Sequence, residues 1–263
     1  MELIDIGANL THESFASDFS QVIEDAKNAN ISHIMLTGTD LETSLAAQAL
    51  SAANPSMHSS TAGFHPHVAS TCDDAAFAEI ARLSAGNYVV AVGETGLDYN
   101  RNFSSKSDQL TAFERHLELA SDVNKPMFLH QREAHEDFYR LLAQYRDKLI
   151  GGVVHCFTDN EAALKDYLNL DMYIGVTGWI CDERRGLDLQ RITPMIPLDR
   201  LLIETDAPYL LPRNLGSKPK NRRNEPKYLV SVLEKVAECY QVTPEVIAKA
   251  TTNNAKRLFN LDF

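Results

Sequence analysis

The chain is short of the features that would mark several protein classes. It has only four cysteines in 263 residues, Cys72, Cys156, Cys181 and Cys239. None forms a CxxC pair, and their spacing suggests no disulfide framework, so small buried or half-buried thiols of a reducing cytosol are expected. No apolar run approaches the ~20 residues of a membrane span. The amino terminus, MELIDIG, is acidic and enters a strand at once, which is not a signal-peptide pattern. There is no linker, internal repeat or low-complexity tract. A cytoplasmic, monomeric protein without membrane partners is the expectation. Basic residues are also in deficit, with 25 Lys and Arg against 36 Asp and Glu, for a formal net charge of −11. That average argues against nucleic acid, because phosphate contacts need Lys and Arg. The local field decides, however. The stretch from Pro212 to Arg223 carries Arg213, Lys218, Lys220, Arg222 and Arg223 with no acid among them.

What is present is a regular alternation. Apolar, strand-like runs fall at 3–7, 33–38, 59–64, 89–94, 126–130, 152–155, 172–176 and 201–204. Amphipathic stretches separate them at 18–28, 41–53, 75–84, 107–124, 134–145 and 161–168, and 225–240 and 244–258 follow the last strand. Hydrophobic residues make up 44%, enough for a sizeable core. Strand–helix alternation implies right-handed crossovers and a parallel sheet. Eight such units favour one (β/α)8 barrel of the TIM type over residues 1–263. An open doubly wound sheet is the alternative, but it would carry a Gly-rich phosphate loop after its first strand, and GANLTHES is not one.

Glu94, His130, His155 and Asp206 each stand at the end of an apolar run: VVAVGE, PMFLH, GGVVH and LLIETD. Carboxylates and imidazoles are costly there unless something binds them. A parallel barrel gathers its strand ends at one mouth, so four such groups point to a metal site. Side chains alternate along a strand, so His155 and Cys156 are expected on opposite faces and Glu204 and Asp206 on the same one. His65-Pro66-His67 lies beyond the third strand, where the imidazoles suit phosphate contact or acid chemistry, or simply a solvated turn. Asp98 suits either orientation of the groups around Glu94 or a loop cap. Trp179 with Arg184 and Arg185 suits base stacking and phosphate binding, or a core Trp beside solvated arginines. His12, His33, His58, His116 and His135 carry no comparable context.

Taken together, TAGFHPH, AVGETGLDYNRNF, PMFLHQREAHEDF, VVHCFT, YIGVTGWICDERRG and LLIETDAPYLLPR resemble the TatD-type metal-dependent deoxyribonucleases, a branch of the amidohydrolase-like barrels. The likeness spans essentially the whole chain. It implies a cytosolic hydrolase that removes nucleotides from the 3′ end of single-stranded DNA, with RNA as a further substrate. It assigns metal binding to Glu94, His130 and His155, the last-strand aspartate to Asp206, and the HPH histidine to His65. One departure stands out. Most members open with Asp-x-His-x-His, whereas this chain has Asp5-Ile6-Gly7-Ala8-Asn9. Losing both imidazoles weakens the half of a dinuclear centre that the first strand would hold. The remaining set, completed by water and substrate phosphate, suits Mg²⁺, with Mn²⁺ or another divalent cation in its place.

On this reading Glu94, His130, His155 and Asp206 surround the metal, Asp206 serves as base, and His65 meets the phosphate or the leaving oxygen. His67, Arg132, Trp179, Arg184, Arg185, Arg213, Arg222 and Arg223 would bind the nucleic-acid strand. Two rivals remain: a hydrolase of a small ester or amide on the same barrel, and a nucleic-acid-binding protein with lapsed catalysis. The basic loop argues against the first. Against the second, four converging ligands without metal would be a mutually repulsive cluster.

Overall fold

The computed structural model describes residues 1–262. Eight parallel strands pair in chain order: β1 (Leu3–Ala8), β2 (Ile31–Leu36), β3 (His58–Ala62), β4 (Val89–Asp98), β5 (Met127–Arg132), β6 (Gly152–Val154), β7 (Tyr173–Val176) and β8 (Leu201–Ile203). Helices α1 (Phe19–Asn28), α2 (Leu41–Ala53), α3 (Asp74–Ser84), α4 (Lys106–Val123), α5 (His135–Tyr145), α6 (Glu161–Asn169) and α7 (Leu187–Ile192) follow the first seven strands, and α8 (Leu229–Tyr240) and α9 (Pro244–Phe259) follow β8. Most strands are apolar on both faces because both are covered; β3, which reads HSSTA, is buried yet mostly polar. One face packs against the helices. The other forms the barrel interior from Ile4, Ile6, Met35, Ala91, Phe128, Val153, Tyr173 and Leu202, joined by Phe259 and Leu261.

The barrel is closed by side chains as much as by backbone. β1 meets the segment that follows β8 through an isolated parallel bridge, Ala8 to Ala207. Asp5 reinforces it. Its carboxylate accepts from the Thr205 amide at 2.9 Å, from the Thr205 hydroxyl, and from the Gly7 amide at 3.3 Å. Burial pushes the Asp5 carboxyl up to about 7, against the opposing pull of the Thr205 bonds. Asn224 adds a bond to the Thr205 carbonyl at 2.8 Å.

The expected strands and helices are present, with three differences that matter. β4 runs on to Asp98, four residues beyond its expected end. The short helix α7 was not evident in the sequence. The stretch expected as a helix from 225 begins as a single turn at Pro226–Tyr228, and α8 proper starts at Leu229. Pro226 explains this, since proline suits a first turn and not a helix interior. Among the described residues, no helix is long and apolar enough to cross a membrane.

Candidate metal centre and active site

Glu94 owes its position to an irregularity. The register between β4 and β5 shifts between Val92 and Thr95, and such a bulge re-aims the side chain beside it. Gly93 makes the shift possible. It sits at φ +136°, and a Cβ there would lie 2.1 Å from the Phe128 carbonyl oxygen. The buried Glu94 carboxylate is thereby delivered to the C-terminal mouth, where three imidazoles converge on its Oε1. His155 Nε2 lies at 2.7 Å, His130 Nδ1 at 3.0 Å and His65 Nε2 at 3.3 Å.

Each imidazole is oriented from behind, and not in the same way. The far nitrogen of His130, Nε2, faces Asp98 Oδ2 at 3.3 Å. That of His155, Nδ1, faces Glu204 Oε2 at 3.4 Å. A carboxylate behind the ring takes its N–H and turns the other nitrogen's lone pair toward the site. His65 has the opposite arrangement. Its Nδ1 accepts the His67 amide at 3.0 Å, so in the neutral ring Nε2 carries the proton. Burial lowers the His65 pKa to about 4, which keeps that ring neutral.

The electrostatics follow from this packing. Burial would raise Glu94, but the attraction of His155 and of the His65 N–H, with the bonds from His130 and His155, holds it well below the ordinary carboxylate range. Burial would likewise depress His155, yet Glu94 and Glu204 push it well above the usual imidazole value. Asp98 accepts from His67 Nε2 at 2.8 Å and from the amides of Asn100 and Arg101 at 3.0 and 2.9 Å. These bonds and that from His130 hold Asp98 low despite its burial. It therefore both orients imidazoles and caps its loop.

Asp206 lines the same cleft, in left-handed backbone at φ +56°. Non-glycine residues in that region cluster at functional sites. Burial drives its carboxyl up to about 8, opposed by His155 and reinforced by Glu94 and Glu204. Asn9 Nδ2 donates to its Oδ1 at 3.0 Å. The departure at Asn9 thus supplies a donor to Asp206.

The donors fit a divalent cation. His65, Glu94 and His130 present ligand atoms within 4.8 Å of one another, and His155 reaches the same Glu94 oxygen. The orienting bonds separate the rings: with a cation in place of the protons shared with Glu94, His130 Nδ1 and His155 Nε2 would turn lone pairs to it, whereas His65 presents an N–H.

These residues open into a cleft of about 840 Å³, lined also by His67, Arg101, Arg132, Trp179 and Tyr209. The expectation that His155 and Cys156 face opposite ways is corrected. β6 ends at Val154, Cys156 takes left-handed backbone at φ +46°, and both line the cleft. The strand-binding arginines divide. Arg132 lines the cleft; Arg184, Arg185, Arg213, Arg222 and Arg223 are not among its lining residues. Arg184 and Arg185 pair with the buried Asp182, and Arg185 lies 4.4 Å from the Trp179 ring centroid. Arg213 grips Glu183 at 2.9 and 2.6 Å. Arg222 is exposed. Arg223 is the clearest correction. Its side chain is 9% exposed, and it bonds Asp18 at 3.0 and 2.7 Å and Glu225 at 2.9 Å, so its charge is spent on the fold. Arg101, Tyr209 and the orienting role of Glu204 were missed. LLIE, a carboxylate on an apolar run, was the available signal for Glu204.

Comparison with known proteins agrees with this geometry. A protein of Yersinia pseudotuberculosis serotype O:3 (strain YPIII), named 3'-5' ssDNA/RNA exonuclease TatD, is 50% identical over 259 residues, covering 98% of this chain and 100% of the relative. The structure of a TatD homologue of Escherichia coli k12, YjjV, superposes with a TM-score of 0.89 at 27% identity, over 99% of this chain and 98% of the other. A hydrolase TatD family protein from Entamoeba histolytica gives 0.88 at 26% identity, over 100% and 99%. The family model described as TatD related DNase matches residues 4–260, and so the barrel that carries this cluster belongs to the TatD related DNase family.

Proposed function

We propose that the protein is a metal-dependent 3′–5′ exonuclease acting on single-stranded DNA and RNA, its barrel forming a single hydrolase domain over residues 1–263. The observation that carries this reading is the Glu94 carboxylate with its converging imidazoles beside Asp206. The name of the Yersinia relative supports the direction and substrate. Glu94, His130, His155 and Asp206 hold the ion, which is Mg²⁺ with Mn²⁺ as a substitute; the mixed carboxylate and imidazole donors and the open cleft support this choice. A bound divalent cation supplies Lewis-acid polarisation of the phosphodiester and a more acidic water.

The chain's own residues supply the rest. Asp206 accepts the proton of the attacking water. Asn9 fixes the carboxylate's orientation. His65, with its proton on Nε2, donates to a phosphate oxygen or to the leaving oxygen. Arg101 and Arg132 bind backbone phosphates at the cleft, with Arg184, Arg185, Arg213 and Arg222 adding positive field beyond it. Trp179 and Tyr209 offer ring faces to unpaired bases, which stack without regard to sequence. The groups lie inside a cleft, where a flexible strand end enters more readily than a rigid duplex. The setting is the cytoplasm and the working unit a monomer.

The test is a time course on labelled oligonucleotides with Mg²⁺, with Mn²⁺ and with chelator. A 5′-labelled single strand should give a ladder shortening from its far end, and a 3′-labelled one should release a labelled mononucleotide at once. Chelator and Glu94→Ala should each abolish both. Cleavage of circular single-stranded DNA, or activity that survives chelation, would overturn the proposal.

A further inference from the structure

Two glycines on different strands make room for one buried carboxylate. A Cβ on Gly7 of β1 would lie 2.5 Å from Glu204 Oε2, and one on Gly175 of β7 would lie 2.6 Å from Glu204 Oε1. Glu204 itself is fully buried. Its Oε1 accepts the Cys156 amide at 2.6 Å, and its Oε2 faces His155 Nδ1 at 3.4 Å. The left-handed turn at Cys156 brings that amide round, and the Phe128 ring stacks on His155 at 4.6 Å between centroids. Burying a carboxylate is costly unless its partners repay the lost hydration. The site spends two side-chain positions to admit this one, and the group it meets is the imidazole nearest Glu94.

We propose that Glu204 is a positioning residue that keeps a proton on His155 Nδ1, so that the nitrogen given up to a divalent cation is Nε2, the one that faces Glu94. This rests on the metal-dependent reading above. The geometry gives Glu204 no place against the substrate, since it does not line the cleft. It acts through His155. Asp98 stands in the same relation to His130 Nε2, so the two rings present opposite nitrogens, each fixed by the carboxylate behind it.

Glu204→Gln separates this role from simple filling of space. The glutamine is isosteric, and its oxygen can still accept the Cys156 amide. Its NH₂ would then face His155 Nδ1 and donate to it, moving the ring proton to Nε2 and blocking the lone pair. Binding of Mn²⁺ alone, read by isothermal calorimetry without substrate, should weaken about 10–100-fold. Histidine ¹⁵N spectra of the Mg²⁺-loaded protein should show Nδ1–H in the wild type and its loss in the variant. Gly7→Ala keeps Glu204 but crowds its carboxylate, and should weaken Mn²⁺ binding in the same sense. Unchanged Mn²⁺ affinity in Glu204→Gln, with the Nδ1–H signal retained, would overturn the proposal, as would normal affinity in Gly7→Ala. If the wild type fails to bind Mn²⁺, or binds it equally after Glu94→Ala, the metal-dependent reading itself falls.

Discussion

Asp206→Asn should destroy activity and stabilise the metal-free protein. Asp206 ionises near 3.8 in an unfolded chain and at about 8 in the folded one. A carboxyl whose pKa is raised on folding contributes stability that is present below its unfolded value and lost as pH rises toward the folded value. At pH 7 the gap is roughly three units, or about 4 kcal/mol at 1.36 kcal/mol per unit. This is an upper figure, because the burial that creates the shift also relaxes around the charge. Asparagine avoids the penalty and can still accept from Asn9. In a chain of this size about 2–4 °C accompanies each kcal/mol, so a rise of roughly 5–15 °C in Tm is expected in chelator at pH 7 to 8. The gain should shrink toward zero as pH falls to about 4. Adding Mn²⁺ should reverse the order, since the ion stabilises the wild-type carboxylate and not the amide. Loss of the general base should lower kcat by about 10²–10⁴. Urea denaturation of both proteins with EDTA at several pH values makes the test. Equal stability of the two at pH 8, or a difference independent of pH, would refute the reasoning.

Other consequences lie in the scaffold. Asp5→Ala leaves the amides of Thr205 and Gly7 without their acceptor at the β1–β8 seam, and should cost about 3–5 kcal/mol in urea unfolding. His116 is fully buried, with Nε2 accepting the Phe64 amide at 3.1 Å and Nδ1 facing the Ala112 carbonyl at 2.6 Å, and burial lowers its pKa to about 4. Its contribution is present above the unfolded value of 6.5 and is lost as pH falls through about 4. Stability of the wild type should therefore decline across that window, and His116→Gln should flatten the slope. Arg132→Ala should raise KM and reduce the salt dependence of binding, whereas Arg223→Ala should lower Tm and leave the salt dependence unchanged. Fluorescence anisotropy against salt concentration, with thermal unfolding, distinguishes the two.

The strand and helix order was largely legible because a buried parallel barrel writes most strands as continuous apolar runs and most helices as amphipathic ones. Glu94, His130, His155 and Asp206 were legible for a related reason: a polar group closing an apolar run is conspicuous, and the barrel brings such closings to one mouth. What the sequence could not state was how these groups face one another. The Val92–Thr95 bulge, the left-handed turns at Cys156 and Asp206, and the early ends of β6 and β8 all break the alternation from which side-chain direction is read. The partner of a charge is likewise a tertiary fact. Arg223 reads as a free cation in a basic loop, yet Asp18, some two hundred positions earlier in the chain, claims it. Glu204 reads as one more residue of a strand, and only the absence of Cβ atoms at Gly7 and Gly175 lets its carboxylate reach His155. Composition and periodicity determined which elements form and which chemistry is available. Packing decided which atoms meet, because contact distance depends on register, backbone sign and the volume of neighbours remote in sequence.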